Sequence, residues 1–287
     1  MFALMIIKKL YRNFLVKLQQ IYSLGEATTI TNWVFEKMVS LKRADILKNP
    51  DKVITPEANE SIQNVLQQLL QHKPIQYVLG EAFFYNMKLK VNEHVLIPRP
   101  ETEELVEQLI KDRKSKLTDP AILDIGTGSG CIPIALKKNL PASFVTSIDI
   151  SEKAISLAIE NADLHNTHIT FRQMDFLNEK GWDILPMYDI IISNPPYIPA
   201  NEKEKLSKNV TLYEPHIALF VPNKTPLIFY EKIAAFGLTN LRPSGKIYLE
   251  THEDYAKEVA ALFRKNYETV VVKKDLNGKE RMIFITI

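Results

Sequence analysis

The chain has 287 residues, which at about 150 residues per domain points to two domains, and 36 Lys and Arg against 34 Asp and Glu leave a formal net charge of +2. Its 46% hydrophobic and 24% charged residues are those of a folded globular protein and exclude a disordered, collagen-like or coiled-coil chain. The near balance of charge counts against holding nucleic acid mainly by electrostatics. The one cysteine, Cys131, rules out an intramolecular disulfide framework and a cysteine zinc cluster, and fits a reducing compartment.

The opening MFALMII is apolar, but it is short and its charges, Lys8, Lys9 and Arg12, follow rather than precede it. That is the wrong order for a signal peptide, and no apolar run reaches the roughly 18 residues of a membrane span. It reads as the start of an amphipathic helix continuing through Leu10, Phe14, Leu15 and Leu18, in a cytoplasmic protein without membrane contact. Helical spacing persists to residue 80: Ile30, Trp33, Val34, Met38 and Leu41 form one stripe, and Ile62, Val65, Leu66 and Leu69 another. The second has a start signal, with Thr55 as N-cap, Pro56 at the first helical position and Glu57 in the first turn. This region carries ten basic and six acidic residues. It reads as solvated surface, with an acidic partner as the alternative.

Phe83 to Ile97 alternates in strand fashion around Asn86 and Asn92-Glu93, which predicts one or two hairpins. Pro98 and Pro100 then bracket Arg99 in a rigid joint, read as an inter-domain hinge. Thr102 is placed to cap a helix with Leu105, Val106, Leu109 and Ile110 inward. The expected organisation is a helical domain over 1–80, a β-hairpin linker over 81–100 and a catalytic domain over 101–287. From Pro120 strands and helices alternate, predicting a mostly parallel sheet covered on both faces. AILDI, SFVTSIDI, HITFRQM, MYDIIIS and KIYLETH read as strands. ETVVVKK and RMIFITI close the chain as an antiparallel pair joined at Leu276-Asn277-Gly278.

Three of nine glycines, Gly126, Gly128 and Gly130, lie within five positions, interleaved with Thr127 and Ser129, where the first of these strands meets a helix. Glycine there lets the backbone turn tightly and approach a ligand, and the helix N-terminus offers free N–H groups. A tight turn without a ligand is the plain alternative. The G-x-G-x-x-G fingerprint fails at Cys131, and no Gly-Lys-Ser/Thr phosphate loop exists. Asp124 within the strand needs a donor partner. Asp149 ends the next strand, placed to accept from two ribose hydroxyls. Asp175 and Phe176 follow the third strand, where they could meet an adenine edge and face. The ordered set looks like an S-adenosylmethionine site.

Ser193-Asn194-Pro195-Pro196-Tyr197 follows the apolar run IIIS, at a strand end where open parallel sheets bind ligands. Two prolines fix φ and remove N–H donors, leaving the carbonyls of Asn194 and Pro195 free. The Asn194 side chain adds an acceptor and a donor, and Tyr197 a stacking face. This is a pocket for a planar group bearing NH₂; a rigid turn without a ligand is the alternative.

GTGSG, Asp149 and NPPY resemble S-adenosylmethionine-dependent amino-methyltransferases. QYVLGEAFFYNMKLKVNEHVLIPRPETEEL, with Tyr213-Glu214-Pro215 and Ala218-Leu219, resembles the HemK/PrmC family of protein-(glutamine-N5) methyltransferases. The likeness runs from about Pro74 to the C-terminus. Asn86 stands where glycine is expected, and asparagine tolerates φ > 0 better than most residues. The resemblance implies a class I methyltransferase fold: a Rossmann-like, mostly parallel sheet with an antiparallel last strand, a small helical N-terminal domain and a β-hairpin linker. It implies a monomer that binds S-adenosylmethionine at Gly126, Thr127, Gly128, Ser129, Gly130, Asp149, Asp175, Phe176 and Asn194. Asn194 and Pro195 would be catalytic, and Asn194 to Tyr197 would hold the glutamine of the Gly-Gly-Gln tip of class 1 peptide chain release factors. No metal, membrane or direct nucleic-acid contact is expected. The rivals are a nucleic-acid adenine amino-methyltransferase using the same NPPY chemistry, and a silent S-adenosylmethionine-binding module. Of the remaining residues, Trp33 and Trp182 read as core or partial core, Cys131 as packing, and EKEKLSKN over 202–209 as a mobile flap.

Overall fold

The computed structural model describes residues 5–113 and 119–287, so the first four residues of the opening apolar stretch lie outside it. Two compact units emerge: Met1–Gly80 with Lys208–Tyr213, and Glu81–Ser207 with Glu214–Ile287.

The first unit contains β1 (Met5–Ile6), α1 (Ile7–Leu18), α2 (Leu24–Val39), α3 (Arg43–Lys48), β2 (Val53–Ile54), α4 (Pro56–Leu70) and α5 (Ile75–Leu79). The apolar opening does not run straight into a helix: Met5 and Ile6 pair antiparallel with Ile54 and Val53 before α1 begins. Local chemistry sets the helix starts. Ser23 and Glu26 form a reciprocal capping box at α2, and Thr55 accepts from the Ala58 N–H above Pro56 at α4. Leu10, Phe14 and Leu18 pack against Val34 and Phe35 and against the α4 stripe Ile62, Val65, Leu66 and Leu69. Trp33 departs from expectation. Ala27, Ile30, Thr31, Val34 and Phe35 take the buried face of α2, and the indole lies on the flank at 44% exposure.

The second unit opens with the hairpin β3 (Glu81–Phe84) and β4 (Met87–Lys90). Both turn residues, Tyr85 and Asn86, have positive φ, as a two-residue turn matched to strand twist requires. Asn92-Glu93 does not make a second hairpin; residues 91–97 run on without strand pairing. The elements that follow are α6 (Pro100–Arg113), β5 (Ala121–Ile125), α7 (Cys131–Asn139), β6 (Phe144–Asp149), α8 (Glu152–Leu164), β7 (Thr170–Gln173), β8 (Tyr188–Ser193), β9 (Ile198–Pro199), β10 (Phe220–Val221), α10 (Ile228–Asn240), β11 (Leu241–Glu250), α11 (Ala256–Phe263), β12 (Thr269–Lys274) and β13 (Glu280–Thr286). Between β9 and β10, Ala200–Lys205 forms a 3₁₀ turn, and Lys208–Tyr213 forms α9 within the first unit. The segment read as a flap is thus folded into short helices. Pro98-Arg99-Pro100 lies inside the second unit, not at its boundary.

The sheet order is β12-β13-β11-β8-β5-β6-β7, and β13 runs antiparallel to both of its neighbours. β8 shows why its sequence is uniformly apolar. Ile190 and Ile192 enter the core layer of α6 and α7, whereas Ile191 enters that of α10 and α11. Helix α10 is absent from the sequence reading because apolar residues surround it on nearly all sides, leaving no stripe to detect. Among the described residues no helix is long and apolar enough to cross a membrane.

Gly237 lets α10 approach Tyr267. A Cβ there would sit 2.3 Å from the Tyr267 hydroxyl and 3.0 Å from Ile247 Cδ1, and that hydroxyl donates to the Ala234 carbonyl at 2.7 Å. Ala in place of a helical Gly ordinarily stabilises by ~1 kcal/mol. Here overpacking reverses the sign. Gly237→Ala should lower unfolding free energy in urea by ~1–3 kcal/mol, and a rise would contradict this packing.

Candidate active site

The loop from β5 into α7 carries the three glycines with φ of +82°, +52° and +80°, a region in which side chains are strained. The N–H groups of Gly126 and Thr127 both donate to the Ile148 carbonyl, at 2.9 and 3.1 Å, which locks the loop to β6. The glycines do different jobs. A Cβ on Gly126 or Gly128 would meet no protein atom within 4 Å, whereas one on Gly130 would press on Ala158 Cα at 3.3 Å. Gly126 and Gly128 therefore face open space, and Gly130 seats α7 against α8. Asn161 of α8 fixes the same region. Its Nδ2 donates to the carbonyls of Ser129 and Lys90, and its Oδ1 accepts from the Lys90 N–H, joining the glycine loop to the hairpin.

Asp149, at the end of β6, is held from both sides. Oδ2 accepts from the Gly128 N–H and Oδ1 from the Ser151 N–H, each at 2.9 Å. Burial raises its pKa against these bonds, which lower it. Each oxygen keeps a second lone pair for a hydroxyl donor. Asp124 lies behind the loop, fully buried. Its Oδ2 accepts from Ser147, whose hydroxyl also shares a hydrogen bond with Thr127, while Oδ1 has no hydrogen-bond partner among the described residues. Burial pushes Asp124 up to about 7.

At the neighbouring strand end, the Ser193 hydroxyl donates to the Ile125 carbonyl at 2.7 Å, fixing the NPPY turn beside the glycine strand. Asn194 Nδ2 donates to Thr102 Oγ1 at 3.0 Å, and the Thr102 hydroxyl donates to Glu250 Oε2 at 2.6 Å. The Tyr197 hydroxyl donates to the other oxygen, Glu250 Oε1, at 3.3 Å. Thr102 is therefore not the N-cap the sequence suggests. Helix α6 begins two residues earlier at Pro100, and Thr102 turns inward from its first turn. Glu250 is fully buried, and burial raises its pKa to about 7 despite the Thr102 bond and the Arg281 charge. Arg99 pairs with Glu214, whose other oxygen accepts from the Ile97 N–H.

These elements wall a cavity of about 310 Å³. Of the residues singled out in the sequence, Gly126, Gly128, Asp149, Asp175, Phe176, Asn194, Pro195 and Pro196 line it. Thr127, Ser129, Gly130 and Tyr197 are not among its lining residues. Thr127 serves the Asp124 network, and Tyr197 is held by Glu250 with its ring edge-on to His252. Phe176 is buried, one ring face stacked on Trp182 at 5.4 Å with Phe236 edge-on. Its Asp175 neighbour accepts from the Leu177 N–H. Residues the sequence did not single out complete the wall, among them His94, Ile217, Val221 and Phe229. Glu250 and Thr102 were also missed. A lone carboxylate in the apolar run KIYLETH was the available signal, the same one that marked Asp124.

A seven-stranded sheet with an inverted seventh strand, a glycine turn after the first parallel strand and an acid after the next define a class I methyltransferase. The family described as PrmC N-terminal domain matches residues 9–80, and Methyltransferase small domain matches residues 100–212. The release factor glutamine methyltransferase of Flavobacterium psychrophilum is 43% identical over 282 residues, 97% of this chain and 98% of that protein. That of Streptococcus pneumoniae is 42% identical over 264 residues, 91% and 92% of the two chains. A methyltransferase from Pyrococcus furiosus shares the fold, with a TM-score of 0.52 at 16% identity over 78% of this chain and 98% of its own. The chain belongs to the release factor glutamine methyltransferase family.

The raised acids carry a pH signature. A carboxyl with a folded pKa above its unfolded value favours the fold fully below the unfolded value, and that contribution is lost as pH rises through the folded one. For Asp124 the window runs from the ordinary Asp range to about 7. Unfolding free energy should fall as pH rises across it, and Asp124→Asn should flatten that fall. Parallel pH profiles for the two proteins would contradict the burial of an uncompensated carboxyl.

Proposed function

We propose that the enzyme transfers a methyl group from S-adenosylmethionine to the side-chain amide nitrogen of the glutamine in the Gly-Gly-Gln motif of class 1 release factors. It would act as a cytoplasmic monomer. The observation that carries this reading is Asn194 at the cavity wall with its NH₂ committed inward to Thr102, which leaves Oδ1 as its acceptor. The names and extent of the relatives support the substrate class.

The residues present fit the cofactor. Open space beside Gly126 and Gly128 accepts a ligand pressed against the backbone, and a Cβ at either position would occupy it. Asp149, oriented by two N–H groups, keeps lone pairs for a pair of vicinal hydroxyls. Asp175 can accept from an exocyclic amine, and Phe176, with one face already taken by Trp182, would serve as an apolar wall. When bound, the sulfonium supplies an electrophilic methyl group.

The chain's own part is positioning. An amide nitrogen is a poor nucleophile because its lone pair is delocalised into the carbonyl. Asn194 Oδ1 and the Pro195 carbonyl would accept its two N–H bonds, orient the nitrogen and stabilise the positive charge that develops on it. Pro195 and Pro196 bring no N–H to compete for those acceptors. No general base is assigned. The first unit would hold the body of the release factor, so a short Gly-Gly-Gln peptide should be a far poorer substrate than the whole protein.

Two variants separate binding from chemistry. Gly128→Val should abolish S-adenosylmethionine binding by calorimetry, because a side chain at φ +52° projects into the ligand's space. Asn194→Ala should leave cofactor affinity within about threefold. It should slow single-turnover methylation of a release factor by roughly 10²–10³, or ~3–4 kcal/mol. An Asn194→Ala rate within threefold of wild type would overturn the reading.

A further inference from the structure

Asn194 reaches the cavity from a turn, yet its side chain is anchored elsewhere, on Thr102 and through it on Glu250. We propose that Glu250, acting through Thr102, is a positioning residue that decides which end of the Asn194 amide faces the cavity. The inference rests on the methyl-transfer reading above, since it assigns a polarity to the same amide.

The placement of the hydrogens fixes the orientation of the amide. An ionised Glu250 has none to give, so both oxygens accept, Oε2 from Thr102 and Oε1 from Tyr197. The Thr102 hydroxyl has spent its one proton on Glu250, so its oxygen accepts only from a donor. The only side-chain donor of Asn194 is Nδ2, and Oδ1 must then turn to the cavity. Protonation of Glu250 on Oε2, by one proton from solvent, reverses the chain. The carboxyl O–H then donates to Thr102, whose own proton points to Asn194, and the amide satisfies it by presenting Oδ1 inward and NH₂ outward. An outward NH₂ cannot accept from a glutamine amide. The ionised carboxyl is therefore the form that sets up the acceptor.

Burial holds Glu250 near the point where both forms exist at neutral pH. The groups acting on it come from every element around it. Arg281 of β13 favours the charged form, Glu101 of α6 opposes it, and the Thr102 and Tyr197 hydroxyls bond it. Tyr230 of α10 spends its hydroxyl on the Glu250 backbone carbonyl, 3.1 Å away, so it cannot serve the carboxyl. Cys131 of α7 has its thiol pushed up to about 12, mainly by burial, and stays neutral. Arg281 also lies 3.6 Å from Asp275 and 3.8 Å from Glu253, which divides its charge.

The test compares wild type, Thr102→Val, Thr102→Ser and Glu250→Gln in single-turnover methylation of a release factor at saturating S-adenosylmethionine across the neutral pH range. Thr102→Val keeps the shape and removes the relay. It should slow the chemical step roughly 10- to 100-fold with cofactor affinity unchanged, while Thr102→Ser restores the rate to within about threefold. In the Asn194→Ala background Thr102→Val should cost almost nothing further, because the two act as one unit. The wild-type rate should rise with pH through neutrality, and Glu250→Gln should remove that rise, which separates it from any contribution of Asp124. The Asn194 side-chain amide resonances, identified by their loss in Asn194→Ala, should titrate with the same midpoint in wild type and not in Glu250→Gln. Should Glu250→Gln fail to fold, Thr102→Val and the wild-type resonances decide alone. A Thr102→Val rate equal to wild type, or additive costs with Asn194→Ala, or amide resonances that do not titrate, would overturn the relay while leaving the methyl-transfer reading intact. If Asn194→Ala itself matches wild type, the methyl-transfer reading falls and the relay falls with it.

Discussion

One buried carboxyl group, that of Glu250, holds together three segments that are far apart in the sequence. The first turn of α6 contributes Thr102, the turn after β8 contributes Asn194 through Thr102 and Tyr197 directly, and β11 contributes the carboxyl itself. Removing such a group from water costs several kcal/mol unless its lone pairs are met, so the surrounding donors are a requirement and not an embellishment. On the other side of the same turn, Ser193 bonds to Ile125. NPPY is thereby clamped between the helix and the glycine strand. Its geometry follows from strand adjacency: β8 lies between β11 and β5 in the sheet.

The second half of the site depends on backbone rather than side chains. Gly126 and Gly128 leave space, Gly130 closes the packing of α7 on α8, and Asp149 is oriented by the N–H of Gly128 itself. Loop and acid therefore position one another. Asn161 extends the arrangement to the hairpin, which ties β4 to the glycine loop through a single buried amide. The cavity between these parts is mostly apolar with a few fixed polar groups, the composition expected of a small-molecule site.

Much of this was legible in the sequence. The alternation after Pro120, the Thr55-Pro56 start of α4 and the terminal hairpin were visible because local periodicity and capping chemistry specify them. The glycine cluster and NPPY were visible because few residues tolerate their backbone demands. What stayed hidden is tertiary. Thr102 looks like a cap until Pro100 is seen to begin α6, and Glu250 looks like a strand-end acid until Thr102 and Tyr197 converge on it. Helix α10 was hidden by being apolar on nearly every side, and Trp33 was misplaced because helical spacing alone does not say where a stripe ends. The ring of Phe176 reads as a free stacking face in one dimension, and Trp182 occupies one side of it in three.

This site is proposed to methylate one amide on one protein loop. The most direct measurement is peptide mapping by mass spectrometry of a class 1 release factor incubated with the enzyme and S-adenosylmethionine. A single methyl group is expected on the side-chain nitrogen of the Gly-Gly-Gln glutamine, and none on a release factor in which that glutamine is replaced. A methyl group on any other residue, or transfer to nucleic-acid adenine in preference to the release factor, would contradict it.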